Sequence, residues 1–141
     1  MTYDANSKPK KVVLKLFELL EKRDQSFTLL FTEDAIFHTT AERKLRIEGL
    51  LDNFIHDLSA FPDYHYQINR VIAEGNTVVV DYNWSGTQEK EYWGVPSQGN
   101  RVDVPFTDTF DLEDGKIKKW RCLFNWERMH RQMTGEPVFT E

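Results

Sequence analysis

In the stretch RVDVPFTDTFDLEDGKIKKW, from Arg101 to Trp120, one carboxylate keeps apolar company. Val102, Val104, Phe106, Asp108 and Phe110 share one parity of an extended strand, and Arg101, Asp103, Thr107, Thr109 and Asp111 share the other. An ionised carboxylate buried without partners is costly. Such a group is therefore kept protonated, satisfied by hydrogen bonds, or employed in an active site. Asp108 is the chemical lead of the chain on this ground.

The neighbouring segments read as the strands that would carry it. NTVVVDYNWSG puts Val78, Val80, Tyr82 and Trp84 on one parity, and KIKKWRCLFNW does the same for Trp120, Cys122, Phe124 and Trp126. These residues join the Asp108 face. For any single aromatic a core position is the simpler reading, whereas a curved sheet lined in this way encloses a cavity for a flat hydrophobic molecule. YHYQINRVIAE supplies a further strand, and Asp34 to Thr40 an earlier one. Glu74-Gly75-Asn76 and Glu113-Asp114-Gly115-Lys116 are hairpin turns whose Gly, Asn and Asp tolerate positive φ. TQEKEYWGVPSQGN, between the second and third of the late strands, is too long for a tight turn, and Trp93 within it suits the rim of a pocket or a solvated loop.

The helices come first. Ser7 caps a helix with Pro9 in its first turn, and Val12, Val13, Leu16, Phe17, Leu19 and Leu20 recur at helical spacing up to about Arg23. Asp24 caps a short second helix carrying Phe27, Leu30 and Phe31. After a charged, loop-like AERKLRIEG, a third helix carries Leu50, Leu51, Phe54, Ile55 and Leu58 and ends at Phe61-Pro62-Asp63. His56 and Asp57 are read as its solvated face. WERMHRQMTG is one or two closing helical turns ended by Gly135. Helices followed by a strand meander predict an α+β domain, an antiparallel sheet covered on one face.

Composition narrows the function classes. With 141 residues, 40% hydrophobic and 13% aromatic, the chain predicts a single domain over 1–141, with polar tails at about 1–8 and 136–141. A net charge of −5 with interspersed signs leaves no basic stripe for nucleic acid. The lone Cys122 allows no intrachain disulfide and no cysteine-based metal cluster. No signal-like or membrane-length apolar run occurs, so a soluble cytoplasmic protein with no membrane partner is expected.

The order of elements, together with FTEDAIFH, AFPDYHYQI, VIAEGNTVVVDYNWSGT, EYWGVPSQGNRVDVPFTDTF and DGKIKKW, resembles the SnoaL-like polyketide cyclases of the nuclear-transport-factor and steroid-isomerase type of fold, from about Lys11 to Gly135. The resemblance implies a cone-shaped α+β barrel, with three N-terminal helices and a strongly bent antiparallel sheet around an apolar pocket. It also implies intramolecular aldol ring closure or a related isomerisation of a hydrophobic oxygenated small molecule, with no metal or organic cofactor, and a homodimer. Asp108 resembles the pocket aspartate that serves such enzymes as acid and base, a role requiring a pKa raised by apolar surroundings. The implied pocket comprises Tyr82, Trp84, Trp93, Phe106, Phe110, Trp120 and Phe124, with Gln88 where family members often carry histidine.

Gln88 and Asn125 replace groups that are often ionisable in the family, so His38, at the end of the first strand, or His65 is left as the polar helper of Asp108. A steroid-isomerase mechanism is disfavoured, because Leu16 and about Thr39 stand where its tyrosine and its general base would be. A paired-aspartate epoxide hydrolase is disfavoured by the outward parity of Asp81 and Arg121. The missing helpers also motivate an alternative, a non-catalytic small-molecule-binding protein, or another lyase, isomerase or hydrolase of the same fold.

Overall fold

The computed structural model describes residues 7–41 and 43–136. Helix α1 (Lys8–Glu21) starts where the Ser7 hydroxyl accepts from the Lys10 N–H, with proline in the first turn. It buries Val13, Leu16, Phe17 and Leu20, one stripe at helical spacing. A 3₁₀ helix (Gln25–Leu30) follows, capped by Asp24. Strands β1 (Phe31–His38) and β2 (Lys44–Leu45) then precede α2 (Ile47–Ala60). Strands β3 (His65–Glu74), β4 (Thr77–Thr87), β5 (Arg101–Glu113) and β6 (Lys116–Phe124) form the meander, and α3 (Trp126–Thr134) closes the chain against a left-handed Gly135.

The six strands form one curled, unclosed sheet in the order β2-β1-β6-β5-β4-β3. Its pairs are antiparallel except β1–β6, which is parallel with Phe37 opposite Trp120. The expected all-antiparallel sheet is amended there, because the helical crossing between β1 and the meander brings β1 in beside β6. AERKLRIEG, read as a loop, contains the short β2 paired with Phe37 and His38.

Alternation governs the faces. In β5, Val102, Val104, Phe106, Asp108, Phe110 and Leu112 are all buried, and they meet Val78, Val80, Tyr82 and Trp84 of β4 in register. Phe17 of α1 lies edge-on to Phe110 and Tyr82, so α1 seals one end of this face. Each such side chain contributes about 1.5–3 kcal/mol by leaving water. A latch holds the end of α1: Arg23 donates to the carbonyls of Pro62 at 3.0 Å and Tyr64 at 2.6 Å, with its guanidinium 4.0 Å above the Tyr64 ring. No helix is long and apolar enough to cross a membrane among the described residues. The predicted tails fall largely outside the described residues.

Candidate functional site

Between the inner face of the sheet and α2 lies a cavity of about 290 Å³, close to the lower end of the usual range for small-molecule sites. The strands contribute Tyr66, Tyr82, Trp84, Phe106, Trp120 and Phe124, and α2 contributes Leu50, Asn53, Phe54 and Asp57. Thr39, Thr40, Ala41 and Arg43 follow β1, Tyr92 and Trp93 come from the β4–β5 connection, and Trp126 and Met129 come from α3. Tyr82 stacks on Phe106 at 5.1 Å, and Phe106 on Phe124 at 4.3 Å, with interplanar angles of 22° and 18°. Neighbouring strands thus present a flat aromatic wall.

Asp108 lies behind this wall. It is fully buried and does not line the cavity. Its Oδ2 accepts from the Tyr82 hydroxyl at 2.7 Å and from Trp120 Nε1 at 2.8 Å, and both donors belong to cavity-lining residues. Oδ1 has no hydrogen-bond partner among the described residues. Burial pushes the pKa up to about 7, opposed by the Tyr82 and Trp120 hydrogen bonds and by smaller pulls from the Leu123 N–H and the Cys122 thiol. Both protonation states are therefore accessible near neutral pH.

A second carboxyl faces the cavity directly. Asp57, expected on the solvated face as lying off the apolar stripe, in fact follows Leu50 by seven residues and Phe54 by three. At 3.6 residues per turn it falls only about 20° from Leu50 around the helix. That angle is the signal by which it could have been found. The Tyr92 hydroxyl donates to its Oδ1 at 2.7 Å, whereas Asn53 Nδ2 is 3.5 Å from Oδ2, the outer limit of a hydrogen bond. Burial raises the Asp57 pKa to about 7, and the Tyr92 hydrogen bond pulls it down. His56, also read as solvated, stacks on Tyr92 with ring centroids 5.0 Å apart and 9° between planes, so it backs the tyrosine.

Of the residues expected at the pocket, Tyr82, Trp84, Trp93, Phe106, Trp120 and Phe124 line the cavity. Phe110 does not: at the α1 end of the strand it packs under Phe17 and Trp120 and is fully buried. Gln88 does not either. Its Nε2 donates to the carbonyls of Lys90 at 3.0 Å and Val95 at 2.8 Å, making it a staple at the base of the β4–β5 connection. His38 sits between the lining residues Phe37 and Thr39, but strand alternation turns it to the outer face, where burial first, and then Lys119, Lys44 and Arg121, hold its pKa down. His65 points outward to Glu21 at 2.9 Å, and Asn125 caps α3 by accepting from the Arg128 N–H. Asp81 pairs outside the cavity with Arg70. Tyr64, Tyr66, Tyr92, Asn53 and Arg43 were missed as lining residues. The first three alternate or loop inward among aromatics, and that pattern alone cannot separate a wall from a core.

The model of the SnoaL-like polyketide cyclase family matches residues 10–133. None of the curated proteins compared matches the chain. Among solved structures, a candidate SnoaL-like polyketide cyclase from Jannaschia sp. CCS1 superposes with a TM-score of 0.86 at 22% identity, over 97% of this chain and 99% of that one. IdmH, a candidate polyketide cyclase from Streptomyces antibioticus, superposes with a TM-score of 0.80 at 20% identity, over 91% and 99%. AclR, a candidate hydroxylase from Streptomyces galilaeus, gives 0.83 at 18% identity, over 95% and 85%. At these identities the structural likeness carries the fold alone, and the fold hosts more than one candidate chemistry.

Proposed function

The chain belongs to the SnoaL-like polyketide cyclase family, and from that premise we propose that it is a cofactor-independent acid–base enzyme acting on a flat, hydrophobic, oxygenated small molecule by aldol-type ring closure or a related isomerisation. One observation carries the reading: a buried carboxyl with a pKa of about 7 is joined by a 2.7 Å hydrogen bond to a tyrosine of the cavity wall. Asp108 does not need to touch the substrate. When it is protonated, its O–H donates to the Tyr82 oxygen, and the tyrosine proton is free to meet a carbonyl oxygen in the cavity. When it is ionised, Tyr82 donates inward again. The pair thereby passes proton demand through the aromatic wall.

The test is α-proton exchange of fused-ring ketones in D₂O, with 1-tetralone as the simplest probe, followed by proton NMR. Wild type is expected to accelerate the exchange, and Asp108→Asn to lose about 10²-fold or more of that acceleration while melting as a folded protein. Binding of the same ketones without exchange would instead support the non-catalytic binding protein, a reading motivated by the closure of Asp108 from the cavity and the purely structural place of Gln88.

A further inference from the structure

Asp57 has what Asp108 lacks, direct contact with the cavity. It stands on α2, opposite the sheet that buries Asp108. One of its oxygens is engaged by Tyr92 at 2.7 Å, and the other has only the 3.5 Å approach of Asn53. No Lys or Arg pairs with it among the described residues, although Arg43 also lines the cavity. Tyr64, Tyr66 and Tyr92 surround it and feel its charge. Of these, Tyr66 lines the cavity and its hydroxyl has no hydrogen-bond partner among the described residues, which leaves it available to a ligand there. A carboxylate oxygen and an unengaged hydroxyl thus share one apolar chamber.

We infer that Asp57 is the group that touches the substrate as base, and that the Tyr66 hydroxyl receives the oxyanion that results. The substrate class is a fused-ring carbon acid with a C–H bond α to a carbonyl. Asp57 Oδ2 takes that proton, the C–H electron pair becomes the C=C of an enolate, and the carbonyl π pair moves to oxygen, to which Tyr66 and the Tyr82 hydroxyl backed by protonated Asp108 both donate. In ring closure the enolate carbon then bonds to a second carbonyl carbon, whose π pair moves to oxygen and takes up the proton held by Asp57, returning Asp57 to its ionised form. In isomerisation Asp57 returns its own proton to carbon. This division rests on the acid–base reading above and gives the two carboxyls separate roles. The raised pKa of Asp57 supports the geometry, since an aspartate at its ordinary value would be a poor proton acceptor from carbon.

The experiment uses the full chain, 1-tetralone exchange in D₂O and 2-naphthol fluorescence as a measure of cavity binding. Asp57→Asn is expected to lose about 10²-fold or more of the exchange rate while binding 2-naphthol. Tyr66→Phe should lose about tenfold or more by the removal of one oxyanion donor. Tyr92→Phe serves if Asp57→Asn does not fold. It removes a bond that holds the Asp57 pKa down, so the acidic limb of the pH–rate profile should move to higher pH. A role confined to tethering the β4–β5 connection would leave that limb in place. Exchange by Asp57→Asn at the wild-type rate, or an unmoved limb in Tyr92→Phe, would overturn the inference while leaving the acid–base reading intact if Asp108→Asn is inactive. Absence of exchange by wild type over the whole ketone panel would overturn both.

Discussion

Asp108 and Asp57 reach the same raised pKa in opposite settings. Asp108 is set by a sheet: alternation in β5 sends it inward, neighbouring strands supply both donors to Oδ2, and the carboxyl does not face the cavity. Asp57 is set by a helix, takes its one close bond from a loop residue and faces open space. A carboxyl locked by strand neighbours acts on a ligand through its donors, whereas one on a helix facing a cavity acts on it directly. Desolvation dominates in both, so the pKa alone would not separate them.

The pH dependence of stability tests that shared shift, and it is the largest effect expected. The folded-state pKa of each group lies above the ordinary 3.8, so the folded protein binds more protons than the unfolded chain between about pH 4 and pH 7. The stability that these two groups contribute is therefore greatest below that window and is lost as pH rises through about 7. At about 1.4 kcal/mol per pKa unit, the loss attributable to Asp108 is on the order of a few kcal/mol. Urea denaturation at pH 5 and pH 8 should show Asp108→Asn and Asp57→Asn each flattening a comparable share of this slope, because linkage follows the pKa shift and both shifts end at about 7. Flattening by one variant alone would break the parity of the two shifts and make the contrast between the sites one of charge as well as of setting.

Removing the tyrosine partners sharpens it further. Tyr82→Phe leaves buried Oδ2 with Trp120 as its remaining donor and should cost about 1–3 kcal/mol. Tyr92→Phe strips a donor from a carboxyl that solvent in the cavity can reach, and a cost of about 0.5–1.5 kcal/mol is expected in the same denaturation experiment. A larger loss from Tyr92→Phe would mean that the α2 site, not the sheet site, is the more tightly built.

The sequence made one of these sites easier to see than the other. In β5 a period of two with a single acidic exception is unambiguous, and the structure buries Asp108 with Phe106 and Phe110. The helices, the Gly75 and Asp114-Gly115 turns and the Gly135 cap were legible for equally local reasons, each resting on a residue whose preference acts within a few positions. Asp57 is less visible because a stripe drawn through the apolar residues alone leaves it out, although its angle falls close to that of Leu50. Parity also names a face without giving depth: Phe106 and Phe110 share a parity, yet only Phe106 meets the cavity, since α1 covers the other end of the strand. The parallel β1–β6 pairing joins segments about eighty residues apart in sequence, which no short-range pattern encodes.

His38 provides the smallest effect and the sharpest control. It flanks Phe37 and Thr39, both of which line the cavity, so proximity along the chain would make it a helper of either carboxyl. Alternation instead places it outside, among Lys44, Lys119 and Arg121, with its pKa held down. His38→Gln should alter stability by no more than about 0.5 kcal/mol, as surface substitutions usually do. It should leave both the 1-tetralone exchange rate and its pH profile unchanged. A shifted profile in this variant would assign the titration to the outer face and remove the reason for dividing the chemistry between Asp108 and Asp57.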